Sequence, residues 1–278
     1  MLTASIVVHN SPAPQLEKAL ECLLRSDVSK VYVIDNSPVD TLRCVEAIDR
    51  RVTYRHVENR GFGAGHNMAI REILHDGDYH IVMNADVCWK GDVVRGLLEY
   101  LVSHGDVGMI APKVFYPDGD LQYSCRMLPT PADLFEKRFL PSGIIKRRME
   151  RYLLALHNHD EVLNCPYLLG SFLLFRVEAL RECGIFDERF FMYPEDIDIT
   201  RRIHEKWKTI YYPAVSIVHE HAAASRKSFR MFRIHLINMV KYFNKWGWMI
   251  DKKRSAFNKS LLKNVSFIPQ DCRPQGRG

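Results

Sequence analysis

Ser5-Ile6-Val7-Val8-His9-Asn10 and, further on, Val33-Ile34-Asp35-Asn36-Ser37 are β-branched apolar runs that each end in polar residues. A short run of this kind, apolar on both faces, suits a strand buried inside a sheet. The same pattern recurs, giving expected strands at 4–9, 30–35, 52–57, 79–84 and 107–115. Between them, apolar residues at three- and four-residue spacing predict helices at about 14–25, 40–50, 65–75 and 92–104. The fold class is therefore α/β, a Rossmann-like mixed sheet flanked by helices, with a nucleotide-binding half over about residues 1–120. Ligands in such sheets sit beyond the carboxyl ends of the strands. That rule directs attention to His9 and Asn10, Asp35 and Asn36, Asn59 to Gly65, and Asn84 to Asp86.

An acceptor half is expected over about 121–228. Phe135 to Leu156 reads as a helical, basic, amphipathic insertion containing Lys146-Arg147-Arg148, and Tyr167 to Phe175 as one buried strand. A short helix to Cys183, a helix from Ile197 to Trp207 and a last strand from Ile210 to Val218 follow, the strand running into His219-Glu220-His221.

The 278 residues, 47% hydrophobic and 26% charged, suffice for a large folded core and argue against wholesale disorder. Seven scattered cysteines, with no CxxC pair, argue against a disulfide framework or a zinc knuckle and favour a reducing cytoplasm. No basic leader precedes the first apolar run, and no stretch has the roughly 18 apolar residues of a spanning helix, so any membrane contact is expected to be peripheral. Lys plus Arg against Asp plus Glu count 26 to 31 over residues 1–225 but 13 to 2 over 226–278. The tail holds the whole basic excess.

Three stretches carry chemistry. Phe190-Phe191-Met192-Tyr193-Pro194-Glu195-Asp196-Ile197-Asp198 sets three carboxylates in four residues behind an aromatic wall. Such a cluster is either a set of helix-start caps or the seat of a general base. Asn59-Arg60-Gly61-Phe62-Gly63-Ala64-Gly65-His66-Asn67 places glycines at every second position before a helix. That arrangement brings backbone close to a ligand and turns helix N-terminal amides toward phosphate, or else makes a tight strand-to-helix turn. Asn84-Ala85-Asp86 ends a strand in a carboxylate able to hold a divalent cation against a diphosphate, although a lone Asp there also suits a helix cap. His219 is a candidate second ligand, with His221 as its rival.

The ordered set of strand-His-Asn, Val33 to Ser37, the glycine loop, Asn84-Ala85-Asp86, Gly170-Ser171-Phe172, Phe186-Asp187-Glu188, Glu195-Asp196-x-Asp198 and His219 resembles family 2 glycosyltransferases, nearest to the bacterial rhamnosyltransferase-like branch. The resemblance covers about residues 1–228. It implies a GT-A fold and inverting transfer of a sugar, rhamnose in that branch, from a nucleoside diphosphate donor with Mg²⁺ or Mn²⁺. It further implies that Asp35 binds the donor base and that the loop through Gly61, Gly63, Gly65 and Asn67 lines the nucleotide. His9, Asn10, Asn59, Arg60, Asn84 and Ala85 complete the donor set. Asp86 matches the last residue of the metal-binding Asp-x-Asp, whose first two positions are here Asn84 and Ala85, and His219 completes the metal site. Asp196 matches the catalytic base, with Glu195 beside it. Gly170, Ser171 and Asp198 fall on the acceptor side.

The segment 229–278 is expected to be a basic amphipathic extension. Phe229, Phe232, Leu236, Met239, Val240, Phe243 and Trp246 share one helical face, with Arg226, Arg230, Arg233, Lys241 and Lys245 on the other. This face suits either an anionic membrane surface or packing against the catalytic domain. Without a recognition fold, nucleic acid is not an expected partner. The leading expectation is a cytoplasmic transferase at the inner face of the membrane, acting on a lipid-linked or polysaccharide acceptor. The alternatives are a sugar-1-phosphate nucleotidyltransferase, which should carry its glycine loop after the first strand, and an inactive membrane-attached nucleotide-sugar-binding protein.

Overall fold

The computed structural model describes residues 1–135, 142–220 and 229–266. Its first half runs β1 (Leu2–Val8), α1 (Ala13–Leu24), β2 (Lys30–Asp35), β3 (Val52–His56), α2 (Phe62–Ile73), β4 (Tyr79–Asn84), β5 (Val87–Cys88), α3 (Val93–Ser103) and β6 (Val107–Phe115). The second half adds β7 (Leu121–Gln122), β8 (Cys125–Arg126), α4 (Pro131–Phe135), α5 (Ser142–Tyr152), β9 (Leu163–Asn164), β10 (Tyr167–Leu168), β11 (Phe172–Arg176), α6 (Val177–Cys183), α7 (Glu195–His204) and β12 (Lys208–His219). The helices α8 (Phe229–Trp246) and α9 (Lys252–Asn264) follow.

The main sheet has the order β3-β2-β1-β4-β11-β6-β12-β5. Strands β3, β2, β1 and β4 are parallel, as short strand-helix-strand connections require. β11 enters antiparallel between β4 and β6, which makes the sheet mixed. Ile6, Val33 and Ile81 on one face and Ile34, Val82 and Leu173 on the other have no exposed surface, so both sheet faces are covered.

Three local expectations change. The helix expected at 40–50 is one 3₁₀ turn, Arg43–Ala47. Only Leu42 and Val45 are buried there, a spacing of three that fits the tighter turn and offers too little apolar surface to extend it. The strand expected through Tyr167 to Phe175 is interrupted at Gly170-Ser171, because the backbone turns there to meet Asp196 and Asn84. Cys125 and Cys165 are joined in a disulfide, Cα to Cα 6.1 Å, although the scattered cysteines argued against a disulfide framework. Their separation of 40 positions hid a proximity that β8, β9 and β10 create.

The basic extension contains two helices rather than one. Met239, Tyr242 and Phe243 of α8, with Leu261 of α9, enter the same apolar cluster as Phe190 and Ile197. Packing against the catalytic half thus takes part of the amphipathic face. Phe232, Leu236, Ile237 and Val240 stay exposed on α8. Arg226, His221, the side chains of Phe229 and Arg230, the middle of the Phe135 to Leu156 insertion and the end from 267 lie outside the described residues.

Candidate active site

The carboxylate loop opens α7 and is built from both directions. Phe190 is fully buried, and Tyr193 holds φ at +93°, a left-handed conformation that a bulky residue adopts only where its surroundings enforce it. The enforcement comes from α8. Asn238 Nδ2 donates to Met192 O at 3.0 Å, Lys241 Nζ to Arg189 O at 2.8 Å, and the His235 ring meets Tyr193 edge-on at 4.9 Å.

The three carboxylates then take different roles. Asp196 is only 7% exposed. Its Oδ2 accepts from Gly170 N at 3.0 Å and from the Tyr167 hydroxyl at 3.3 Å, and Oδ1 accepts from Ile197 N at 2.8 Å. Burial pushes its carboxyl up to about 6, against the pull of those donors and of the Arg126 charge. Glu195 is buried as well, its Oε2 has no hydrogen-bond partner, and burial beside Asp196 raises it well above the ordinary carboxylate range. When one proton leaves this pair near neutrality, it leaves from the hydrogen-bonded Asp196.

Asp198, expected on the acceptor side, is instead a fully buried anchor. Arg202 Nε and Trp246 Nε1 donate to it at 2.8 Å each, and Lys245 Nζ at 2.6 Å. It binds α7 to α8 and has no surface for a sugar. Nearby, Arg201 makes a bidentate pair with Asp251 at 2.6 and 2.8 Å, capping α9 against α7.

Across the site, His219 Nε2 lies 3.2 Å from Asp86 Oδ1 and 3.3 Å from Asn84 Nδ2. His219 Nδ1 donates to Gln122 Oε1 at 2.7 Å. That bond fixes the tautomer and turns the Nε2 lone pair toward Asp86, the orientation a metal-binding imidazole needs. One carboxylate and one imidazole form a donor set of the kind that would suit Mn²⁺ or Mg²⁺. Among the described residues there is no cluster of three or more His, Cys, Asp or Glu able to hold a metal.

The metal pair and the carboxylate pair share a short strip of backbone. Asn84 N donates to Ser171 O at 3.0 Å while Gly170 N holds Asp196. Ser171 is itself buried, and its hydroxyl is without a partner.

The residues expected to bind the donor form a rim at the ends of β1, β2 and β3. Asn10 takes φ +53° and its N–H donates to Ser37 Oγ at 2.8 Å, while His9 Nδ1 donates to Asn36 O at 2.9 Å. Asn59 Oδ1 accepts from Gly61 N at 3.1 Å, and Arg60 is exposed beside it. Two of the expected donor residues are buried. Asp35 has no exposed surface, and its carboxylate accepts from Tyr54 OH and Ser37 N. Asn67 is also fully buried, clamping Phe186 N and O and Glu188.

The glycines answer a packing demand. Helix α2 begins at Phe62, so Gly63 and Gly65 lie in its first turn. Gly61, at φ +107°, would place a Cβ 2.4 Å from Phe191 O, and Phe62 N donates to that same oxygen at 3.0 Å. A Cβ at Gly65 would come within 2.7 Å of Val7. The loop thereby presses the donor rim against the carboxylate loop. Arg126 and Gln122 carry no signal in the sequence, since each acts only through distant partners.

The glycosyl transferase family 2 profile matches residues 3–184. The chain belongs to glycosyl transferase family 2. This transferase is 29% identical over 238 residues to the N-acetylglucosaminyl-diphospho-decaprenol L-rhamnosyltransferase of Mycobacterium tuberculosis, covering 78% of this chain and 75% of the relative. It is 26% identical over 250 residues to rhamnosyltransferase WbbL of Escherichia coli K12, covering 85% and 90%. The fold is GT-A. It is similar to GalNAc-T7 solved with UDP, GalNAc and Mn²⁺, at TM-score 0.61 and 13% identity over 79% of this chain but only 43% of that one. The mannosyltransferase PcManGT of Pyrobaculum calidifontis, solved with GDP-Man and Mn²⁺, aligns at TM-score 0.53 and 18% identity over 96% and 76%.

Proposed function

We propose that this glycosyltransferase moves a sugar, rhamnose by its relatives, from a nucleoside diphosphate donor to a lipid-linked diphospho-sugar acceptor, inverting the anomeric centre. The observation that carries this reading is Asp196, a buried carboxylate raised to about 6 and held by Gly170 N, at the same sheet edge as Asp86 and His219. A base titrating just below neutrality is ionised at pH 7 and still proton-hungry. Asp196 takes the proton of the acceptor hydroxyl as its oxygen bonds to the anomeric carbon. The bond to the donor diphosphate breaks in the same displacement, and the nucleoside diphosphate departs with the electron pair. A single displacement inverts the centre, with no covalent enzyme intermediate.

Asp86 and His219 are the residues that would hold Mg²⁺ or Mn²⁺, with Asn84 and Ala85 beside them. The cation, when bound, supplies positive charge to the diphosphate as it leaves. His9, Asn10, Asn59, Arg60 and Gly61 form the donor rim, with Gly63 and Gly65 fixing the start of α2 behind it. Gly170 and Ser171 lie between donor and base, where an acceptor sugar has to bind. Glu195, kept protonated by burial, leaves the negative charge to Asp196.

Residues 1–228 form the transferase domain on this reading, and 229–278 its support. Among the described residues no helix is long and apolar enough to cross a membrane. The exposed Phe232, Leu236, Ile237 and Val240 of α8, followed by Trp248, Met249 and Ile250, support peripheral contact with an anionic membrane at its cytoplasmic face. A thermal-shift screen of nucleotide sugars with and without Mn²⁺ tests the donor assignment. A metal-dependent rise in Tm for one nucleotide class is expected, and no rise with any of them would refute it.

A further inference from the structure

The loop that carries the proposed base is stitched to its neighbours through backbone carbonyls. Arg189 O accepts from Lys241 Nζ at 2.8 Å, Phe191 O from Phe62 N at 3.0 Å, and Met192 O from Asn238 Nδ2 at 3.0 Å. The first turn of α2 thus holds the loop from one side and α8 from the other. Of these bonds, the one from Asn238 lies nearest in sequence to Asp196.

Packing alone does not account for Asn238. It is 2% exposed and stands beside Met239, on a helix that sends Met239, Tyr242 and Phe243 into the apolar cluster. A buried amide costs stability unless it is hydrogen-bonded, and a leucine would fill the same seam without that cost. What the amide adds is an N–H for Met192 O.

The peptide that ends in Met192 O is the one about which the φ of Tyr193 turns. Only Tyr193, Pro194 and Glu195 separate it from Asp196. The ring of Pro194 restricts its φ, here −88°, and its carbonyl already accepts from Asp198 N at 2.9 Å as α7 opens. Tyr193, left-handed at φ +93°, is therefore the hinge that aims the start of α7. A bulky residue leaves that region unless its neighbours hold it there. About 10° of rotation at the hinge, carried over one helical turn of about 5.4 Å, displaces Asp196 by about 1 Å. A misplacement of that size costs up to about 10²-fold in rate.

We propose that Asn238 is a positioning residue for transfer: by holding Met192 O it keeps Tyr193 left-handed and sets Asp196 against Gly170 N. The inference rests on the reading of Asp196 as the base. It gives the inner face of α8 a part in the reaction, exerted through Asp196.

The test is single-turnover transfer by the full chain with Mn²⁺. Rhamnose on thymidine, uridine or guanosine diphosphate serves as donor, and octyl diphospho-N-acetylglucosamine as acceptor. Asn238→Leu keeps the apolar volume and removes the N–H, and Asn238→Ala is read beside it. The stoichiometry of nucleotide-sugar binding counts the folded molecules in each. Per folded molecule, both variants should transfer about 10- to 100-fold more slowly, with nucleotide-sugar affinity within about twofold. In an Asp196→Asn background, the same changes should alter the residual rate by less than about twofold, because an effect exerted through the carboxylate disappears with it. A residue that only supports the fold would leave the rate per folded molecule unchanged or slow both backgrounds alike, and either result overturns the proposal. So does loss of nucleotide-sugar binding in both variants, which makes Asn238 a folding residue. A slow Asp196→Asn beside a normal Asn238→Leu removes this inference alone, whereas a wild-type rate in Asp196→Asn removes the base and the inference with it.

Discussion

Gly170 N donates to Asp196 Oδ2 at 3.0 Å, and a Cβ at position 170 would lie 3.0 Å from the Asp196 Cβ. The proposed base is thus set by a backbone amide whose own residue has no room for a side chain. The next carbonyl, that of Ser171, receives Asn84 N from the edge of the metal pair. Donor and base are held in register by two consecutive residues.

Gly170→Ala should therefore damage chemistry more than binding. A displacement of the base by a few tenths of an ångström to an ångström costs up to about 10²-fold in rate. Steady-state kinetics should show kcat reduced about 10- to 100-fold with donor KM changed less than about twofold. A matched rise in donor KM would place Gly170 on the donor side instead.

The raised Asp196 carboxyl fixes the sign of two pH effects. Transfer should rise with pH through about 6 and level off above it, as the base deprotonates. Stability runs the other way. The folded value lies above the unfolded 3.8, so the group's contribution is fully present below 3.8 and is lost as pH rises through about 6. Asp196→Asn should consequently stabilise the fold at pH 8, by about 1–3 kcal/mol, and be near neutral at pH 4. Denaturant unfolding at the two pH values checks this, and a variant less stable at pH 8 than at pH 4 relative to wild type would contradict it.

Gln122 is expected to matter to the cation without touching it. Gln122→Leu removes the acceptor that fixes the His219 tautomer and should weaken Mn²⁺ about 10- to 100-fold, as such outer partners do. Mn²⁺ titration followed by electron paramagnetic resonance reads it directly. Unchanged affinity would mean that His219 is not a ligand.

The buried Arg201–Asp251 pair predicts that α9 is integral to the fold. Asp251→Asn leaves a guanidinium largely uncompensated in the interior and should cost about 3–5 kcal/mol. A loss under about 1 kcal/mol would show that α9 docks without that pair.

The sheet and the carboxylate loop were legible because burial on both faces and clustered charge are local patterns. Strands over 30–35 and 79–84 stand where the apolar runs put them. Helix α9 was not legible, since its buried positions include Arg254 and Asn258, which periodicity counts as polar. Asp196 and Asp198 differ in role because one meets Gly170 and the other Lys245, and those distances appear only once α8 is folded back. Asp35 and Asn67 are buried against Tyr54 and Phe186, partners 19 and 119 positions away that no local pattern shows.

Single-turnover transfer by wild type and Asp196→Asn, at saturating nucleotide sugar and Mn²⁺ with donor affinity measured in parallel, tests the central claim most directly. With Asp196 as the base, the variant should transfer at least about 10²-fold more slowly while donor affinity stays within about twofold. Transfer at the wild-type rate would remove Asp196 from the reaction.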